Sequence, residues 1–154
     1  MTNTILITTT INIPTFLDKI LTNVLKNKKN KELISLVIGD KKTPIKTRSY
    51  CRKLESKYKT EVKYFDIKDQ DKYFKKFKNL YNMLPYNDAA RKLLGSIYAW
   101  KNYKLNLDRI IFIDDDNYLT DNKNFLLGHE TTGSLFSGNS IGSKNKWLNI
   151  YEKL

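Results

Sequence analysis

The sequence predicts an α/β fold, a mostly parallel sheet with helices on both faces. Three observations carry this. Short apolar, often β-branched runs recur at 4–11, 32–40, 61–67 and 108–114. The stretches between them return apolar residues at helical spacing. Strand and helix signals alternate as βαβαβ, then two helices, then a further strand.

Taken in order, "TILITTTI" (4–11) reads as a buried strand, and Pro14 suits the first turn of the helix that follows. Phe16, Leu17, Ile20, Leu21, Val24 and Leu25 give that helix one apolar face. "KNKKNK" (26–31) closes it with positive charge, favoured at the C-terminal end of the helix dipole. "ELISLVIGD" (32–40) is a second buried strand, and Thr43 before Pro44 marks a helix start. Ile45, Cys51, Leu54 and Tyr58 are expected to share a face of that helix, which makes Cys51 a core thiol rather than a nucleophile. "EVKYFDI" (61–67) is a third strand, followed by Tyr73, Phe74, Phe77, Leu80, Tyr81 and Leu84 at helical spacing. Asn87 is expected to cap a further helix with Ala90, Leu93, Leu94 and Ile97 as its core stripe. Gly95 inside it costs about 1 kcal/mol against alanine, which predicts a close approach by another element. "DRIIFID" (108–114) is the next strand, and beyond Asn117 the pattern weakens into turns.

The 154 residues are the size of one domain, with no repeat, linker or internal boundary. Lys and Arg number 28 against 16 Asp and Glu, a formal net charge of +12 that favours anionic ligands. The lysines are dispersed over several segments, as on solvated faces. Cys51 is the single cysteine, so no disulfide forms within the chain. No basic region precedes the first apolar run and no stretch is long enough to span a membrane, so a cytoplasmic protein is expected.

In open parallel sheets ligands bind beyond the carboxyl ends of the strands. That rule groups Thr8 to Ile11, Gly39 and Asp40, Asp66, and the acidic run Asp114, Asp115 and Asp116. Three adjacent carboxylates repel one another and need a cation or strong donors to stay ionised together. On an extended backbone Asp114 and Asp116 point to one side, so the pair can hold one hard divalent ion, Mg²⁺ or Mn²⁺. Position discriminates among enzymes that use such pairs. Haloacid-dehalogenase-like phosphatases place theirs after the first strand, which here ends in Thr and Ile. Toprim nucleases and primases need a Glu on an early strand, and "TILITTTI" has none. Sugar-nucleotide glycosyltransferases of the A-type fold place Asp-x-Asp on a later strand, as here.

"VIGDKKTP" (37–44), "LPYNDAARKLLGSIYAW" (84–100), "IIFIDDDN" (110–117) and "WLNIY" (147–151) occur in the order seen in the STELLO-type family of glycosyltransferase-like domains, which the chain resembles over most of its length. The resemblance implies the Rossmann-like, nucleotide-binding half of an A-type glycosyltransferase, taking a nucleotide sugar with UDP as the expected nucleotide. It implies that Thr8, Thr9, Thr10 and Ile11 line base and ribose, that Asp40 accepts a hydrogen bond from the base, and that Arg91 approaches the diphosphate or the acidic cluster. Asp114 would face ribose or sugar with Asp115 beside it, and Asp114 and Asp116 would hold Mn²⁺ or Mg²⁺. Such enzymes take their acceptor site and catalytic base from a second half. Residues 1–154 are therefore expected to form a donor-binding domain that stops short of the acceptor half, completed by a further domain or partner chain. The catalytic base and the acceptor stay unnamed, and His129, the single histidine, is left out of the site. Two other readings stand beside this one: a nucleotide-sugar-binding module without transfer and, last, a basic nucleic-acid-binding protein.

Overall fold

The computed structural model describes residues 3–119 and 123–129. Four strands, β1 (Asn3–Thr10), β2 (Leu33–Gly39), β3 (Glu61–Phe65) and β4 (Leu107–Phe112), pair in parallel in the order β3-β2-β1-β4. The helices are α1 (Phe16–Lys26), α2 (Thr47–Tyr58), α3 (Ile67–Phe74), α4 (Lys78–Met83) and α5 (Lys92–Tyr103). The chain steps outward from β1 to β3, then returns through α3, α4 and α5 to lay β4 on the other side of β1. The strand order thus reverses between β1 and β4, and the carboxyl ends of these two strands frame a crevice.

Alternation along the strands divides the core between the two faces. Leu6 and Val37 pack with Phe16, Leu17, Ile20, Leu21 and Val24 of α1 and with Cys51 and Leu54 of α2. Ile5, Ile7, Leu36 and Ile38 point the other way, against Phe74, Leu94, Tyr98 and Ala99. Each fully buried Val, Leu, Ile or Phe among them contributes about 1.5–3 kcal/mol. The segment after β4 closes over the first face. Phe125 and Leu126 are buried there, and Asn23 holds it by donating to the Lys123 carbonyl at 2.8 Å and accepting the Phe125 N–H at 2.9 Å. Cys51 is a core thiol, and burial pushes it up to about 12. A Cβ on Gly95 would lie 2.5 Å from Ile7 Cγ2, so this glycine lets α5 settle directly on the central strand.

Several local expectations change. The helix read from Thr43 starts later, at Thr47, because the Thr43 hydroxyl is used in a turn: it accepts the Asp40 N–H at 2.6 Å and donates to the Thr10 carbonyl. Ile45 therefore precedes the helix and is 96% exposed instead of sharing its buried face. The single helical stretch through Leu84 is broken by a 3₁₀ turn at Lys75–Phe77 into α3 and α4. Asn87 takes a left-handed conformation (φ 56°), and Asp88 does the capping by accepting the Ala90 N–H at 2.7 Å. Leu93 turns outward, leaving Leu94, Gly95, Tyr98 and Ala99 as the buried stripe, and Leu25 is likewise exposed. Among the described residues no helix is long and apolar enough to cross a membrane. "WLNIY" and the turn-rich stretch before it lie outside the described residues.

Candidate functional site

At the carboxyl ends of β1, β2 and β4 the chain forms a cleft of about 160 Å³. Its walls bring together Thr9, Thr10, Ile11, Asp40, Asp114 and Asp115 from the sequence reading, with Asn87 and Asp88 from the loop ahead of α5. The loop residues were not expected there. The turn signal in "LPYND" was visible, but nothing local says that a left-handed Asn87 folds over the end of β2.

Each side of the cleft has its own chemistry. The Thr10 hydroxyl donates to Asp115 Oδ2 at 2.7 Å and accepts the Asn12 N–H at 2.9 Å, while the Asn12 amide donates to the same Asp115 oxygen at 3.3 Å. This bond joins the end of β1 to the turn after β4. Thr9 donates to the Ile38 carbonyl of β2 at 3.1 Å. Thr8 lies within the sheet rather than in the cleft: it is 1% exposed and its hydroxyl donates to the Thr9 carbonyl. Ile11 is open to solvent at the rim.

The backbone around the acidic run differs from the extended form assumed from sequence. β4 ends at Phe112, the Ile113 N–H still donates to the Ile7 carbonyl at 3.0 Å, and the chain then turns with the Asn117 N–H donating to the Asp114 carbonyl at 3.2 Å. Asp114 and Asp116 therefore project from a turn, not from alternate positions of a strand. Asp114 pairs with Lys92, at the start of α5. Asp116 is exposed and does not line the cleft.

Asp40 and Arg91 meet, but inside the protein. Asp40 Oδ1 accepts the Lys41 N–H and Oδ2 the Asn87 N–H, both at 2.7 Å, with Arg91 Nε 3.6 Å from Oδ2 and the two side chains 1% and 0% exposed. The Arg91 guanidinium also donates to the Leu84 carbonyl and to Gln70 Oε1, and lies 4.4 Å over the ring of Tyr86. Gln70 in turn donates to the carbonyls of Gly39 at 2.6 Å and Phe65 at 3.0 Å. Arg91 is thus turned into a buried network rather than toward the acidic cluster. It anchors the loop carrying Asn87 and Asp88 to the ends of β2 and β3. Arg91 was singled out from sequence; Gln70 was not, because a lone Gln on a helix gives no periodic signal.

Asp66, grouped with the ligand edge, is a helix cap. It accepts the Asp69 N–H at 2.8 Å in a capping box and pairs with Arg48 at 2.7 Å. His129 is exposed, with Nδ1 2.8 Å from the Phe125 carbonyl, and takes no part in the cleft.

The donor set bears on a metal ion. Among the described residues no group of three or more His, Cys, Asp and Glu is arranged to hold one. Magnesium-type ions are commonly held by one or two carboxylates plus substrate phosphates. Asp114 and Asp116 carry hard oxygens of the type such ions take, but Asp116 lies outside the cleft lining and the two form no preformed cage. Asp115 is occupied by Thr10 and Asn12, and Asp114 by Lys92.

A larger hollow, about 630 Å³, lies at the outer edge of β3, away from this chemistry. Compared with models of protein families the chain matches none, and compared with curated proteins it likewise finds no match.

Proposed function

We propose that the chain is the donor-binding part of a metal-assisted glycosyltransferase of the A-type fold, binding a nucleotide sugar, with UDP as the nucleotide, for transfer to an acceptor. The observation that carries this reading is convergence. Residues singled out at three separate strand ends line one cleft where the strand order reverses, the place at which parallel sheets take nucleotides. The resemblance of "VIGDKKTP", "LPYNDAARKLLGSIYAW" and "IIFIDDDN" to the STELLO-type family points to the same residues.

In this reading Thr9, Thr10 and Ile11 meet the nucleoside, and the Asp114–Asp116 turn faces the diphosphate. Lys92 supplies a positive charge beside that turn. A bound Mn²⁺ or Mg²⁺ would neutralise charge developing on the leaving diphosphate, with Asp114 and Asp116 as its protein ligands. At about 160 Å³ the cleft is smaller than common small-molecule sites of roughly 300–1,000 Å³, so it receives only part of such a donor. Asp40 is engaged by two backbone N–H groups, so a base would reach its carboxylate only if the Asn87 loop moved.

Calorimetric titration of UDP and GDP, with and without Mn²⁺, tests the reading beside Asp116→Ala. The expected result is Mn²⁺-dependent heat with UDP that disappears in the variant. A folded protein that binds neither nucleotide overturns it. UDP binding with no hydrolysis or transfer of UDP-sugars would leave a binding module in its place.

A further inference from the structure

β3 is an end strand of the sheet among the described residues, so alternate amides and carbonyls along it face away from β2. Hollows flank this edge on both faces. The larger, about 630 Å³, lies on the α3–α5 side, with Phe65, Tyr73 and Tyr98 against its interior and Lys72, Lys76 and Lys101 around it. The smaller, about 280 Å³, lies between the strand and α2, where Cys51 and Val62 sit among the charged Arg52, Glu55 and Glu61. Arg48, Lys63 and Tyr64 line both, so one strand edge separates two openings.

Charge in the larger hollow is one-sided. Asp69 is the one acid in its lining, and Arg48 is already paired with it and with Asp66. Lys63 is paired with Glu61 at 3.0 Å. No acid in the lining balances Lys72, Lys76 and Lys101. The rings do not offer a stacking platform. Phe65 and Tyr98 are 7% and 9% exposed and lie edge to face with centroids 4.6 Å apart. Nucleic acid held by base stacking needs open ring faces, so this hollow suits it poorly. A second copy of the chain, at net charge +12, would be repelled.

An edge strand with an opening on each face matches a partner whose side chains alternate between the faces. We propose that the edge of β3 left unpaired among the described residues takes up an extended acidic peptide from another protein as an added strand. Its main chain bonds along β3, its acidic side chains enter the lysine-rimmed hollow, and the intervening small apolar side chains lie against Cys51, Val62 and Tyr64 on the α2 side. This site is independent of the nucleotide cleft.

The test is fluorescence anisotropy of a labelled short peptide alternating glutamate with valine, titrated with the full chain. A lysine-for-glutamate version and an oligothymidylate run beside it. Lys72→Glu with Lys101→Glu, both on exposed positions, is the variant, and amide hydrogen exchange of β3 is read with and without peptide. The expected result is binding of the acidic peptide alone, weakened about tenfold or more by the variant, with slowed exchange in β3. Equal binding by the variant, binding without protection of β3, or tighter binding of the oligothymidylate would each overturn the proposal. So would no binding, which would leave Lys63 as an ordinary guard of an edge strand.

Discussion

Replacing Asp40 by alanine separates its structural role from any role toward a ligand. The carboxylate is 1% exposed on its side chain, holds the Lys41 and Asn87 N–H groups, and is the acid nearest the fully buried Arg91. Removing one member of a buried ion pair costs about 3–5 kcal/mol, because the other charge is left uncompensated. Against a total stability of about 5–15 kcal/mol this is a large share. With a urea slope of about 2 kcal/mol per molar, a loss of about 4 kcal/mol moves the unfolding midpoint down by about 2 M. Urea unfolding followed by far-ultraviolet circular dichroism reads this directly. Adding Arg91→Met removes the orphaned charge, so the double variant should be about 1–3 kcal/mol more stable than the sum of the two single losses implies. A single-variant loss below about 1 kcal/mol, or strict additivity, would refute the claim that this pair holds the Asn87 loop over the strand ends.

Gly95→Ala improves helix propensity by up to about 1 kcal/mol yet pushes a methyl to within 2.5 Å of Ile7 Cγ2; a net loss of about 1–3 kcal/mol is expected in a thermal melt. Asp66→Ala should cost about 1 kcal/mol as a lost cap. Burial pushes the Asp66 carboxyl up, but the Asp69 N–H and the Arg48 guanidinium outweigh it and hold the group below its ordinary value. Its contribution is then complete above the unfolded value of about 3.9 and is lost as pH falls through the lower folded value, so Asp66→Asn should flatten the acid limb of the stability profile below about pH 4. Under the proposed metal-assisted reading, Lys92→Met frees Asp114, so Mn²⁺ should bind more tightly in calorimetry with UDP present. Unchanged Mn²⁺ affinity would mean that Asp114 is not a metal ligand.

The architecture was readable because its signals are local and repeated. Ile5 to Ile7 are apolar on both sides and so, Ser35 apart, are Leu33 to Ile38, as suits doubly covered strands, and Leu17, Ile20, Leu21 and Val24 mark the buried stripe of α1. The cleft was partly readable for the same reason, since the ends of parallel strands share one edge. What failed depended on partners distant in sequence. Thr43 looks like a helix cap until the Thr10 carbonyl is brought beside it. Arg91 looks like a surface charge or a phosphate ligand until Asp40, Gln70 and Tyr86 surround it. The Asp114–Asp116 turn is hidden in the sequence because the apolar run continues through Ile113, past the end of β4 at Phe112.

The seam between β1 and β4 gives the molecule a property of timing. β1, β2 and β3 come from the first 65 residues, whereas Thr10 and Asp115, whose bond closes the cleft, are 105 residues apart. The central strand thus has one neighbour early and acquires the other late, a long-range closure of the kind that slows folding. Both sides of the crevice exist only once that closure is made. A ligand bound across it would favour the closed seam by mass action, so occupancy of the cleft and completion of the sheet are thermodynamically linked.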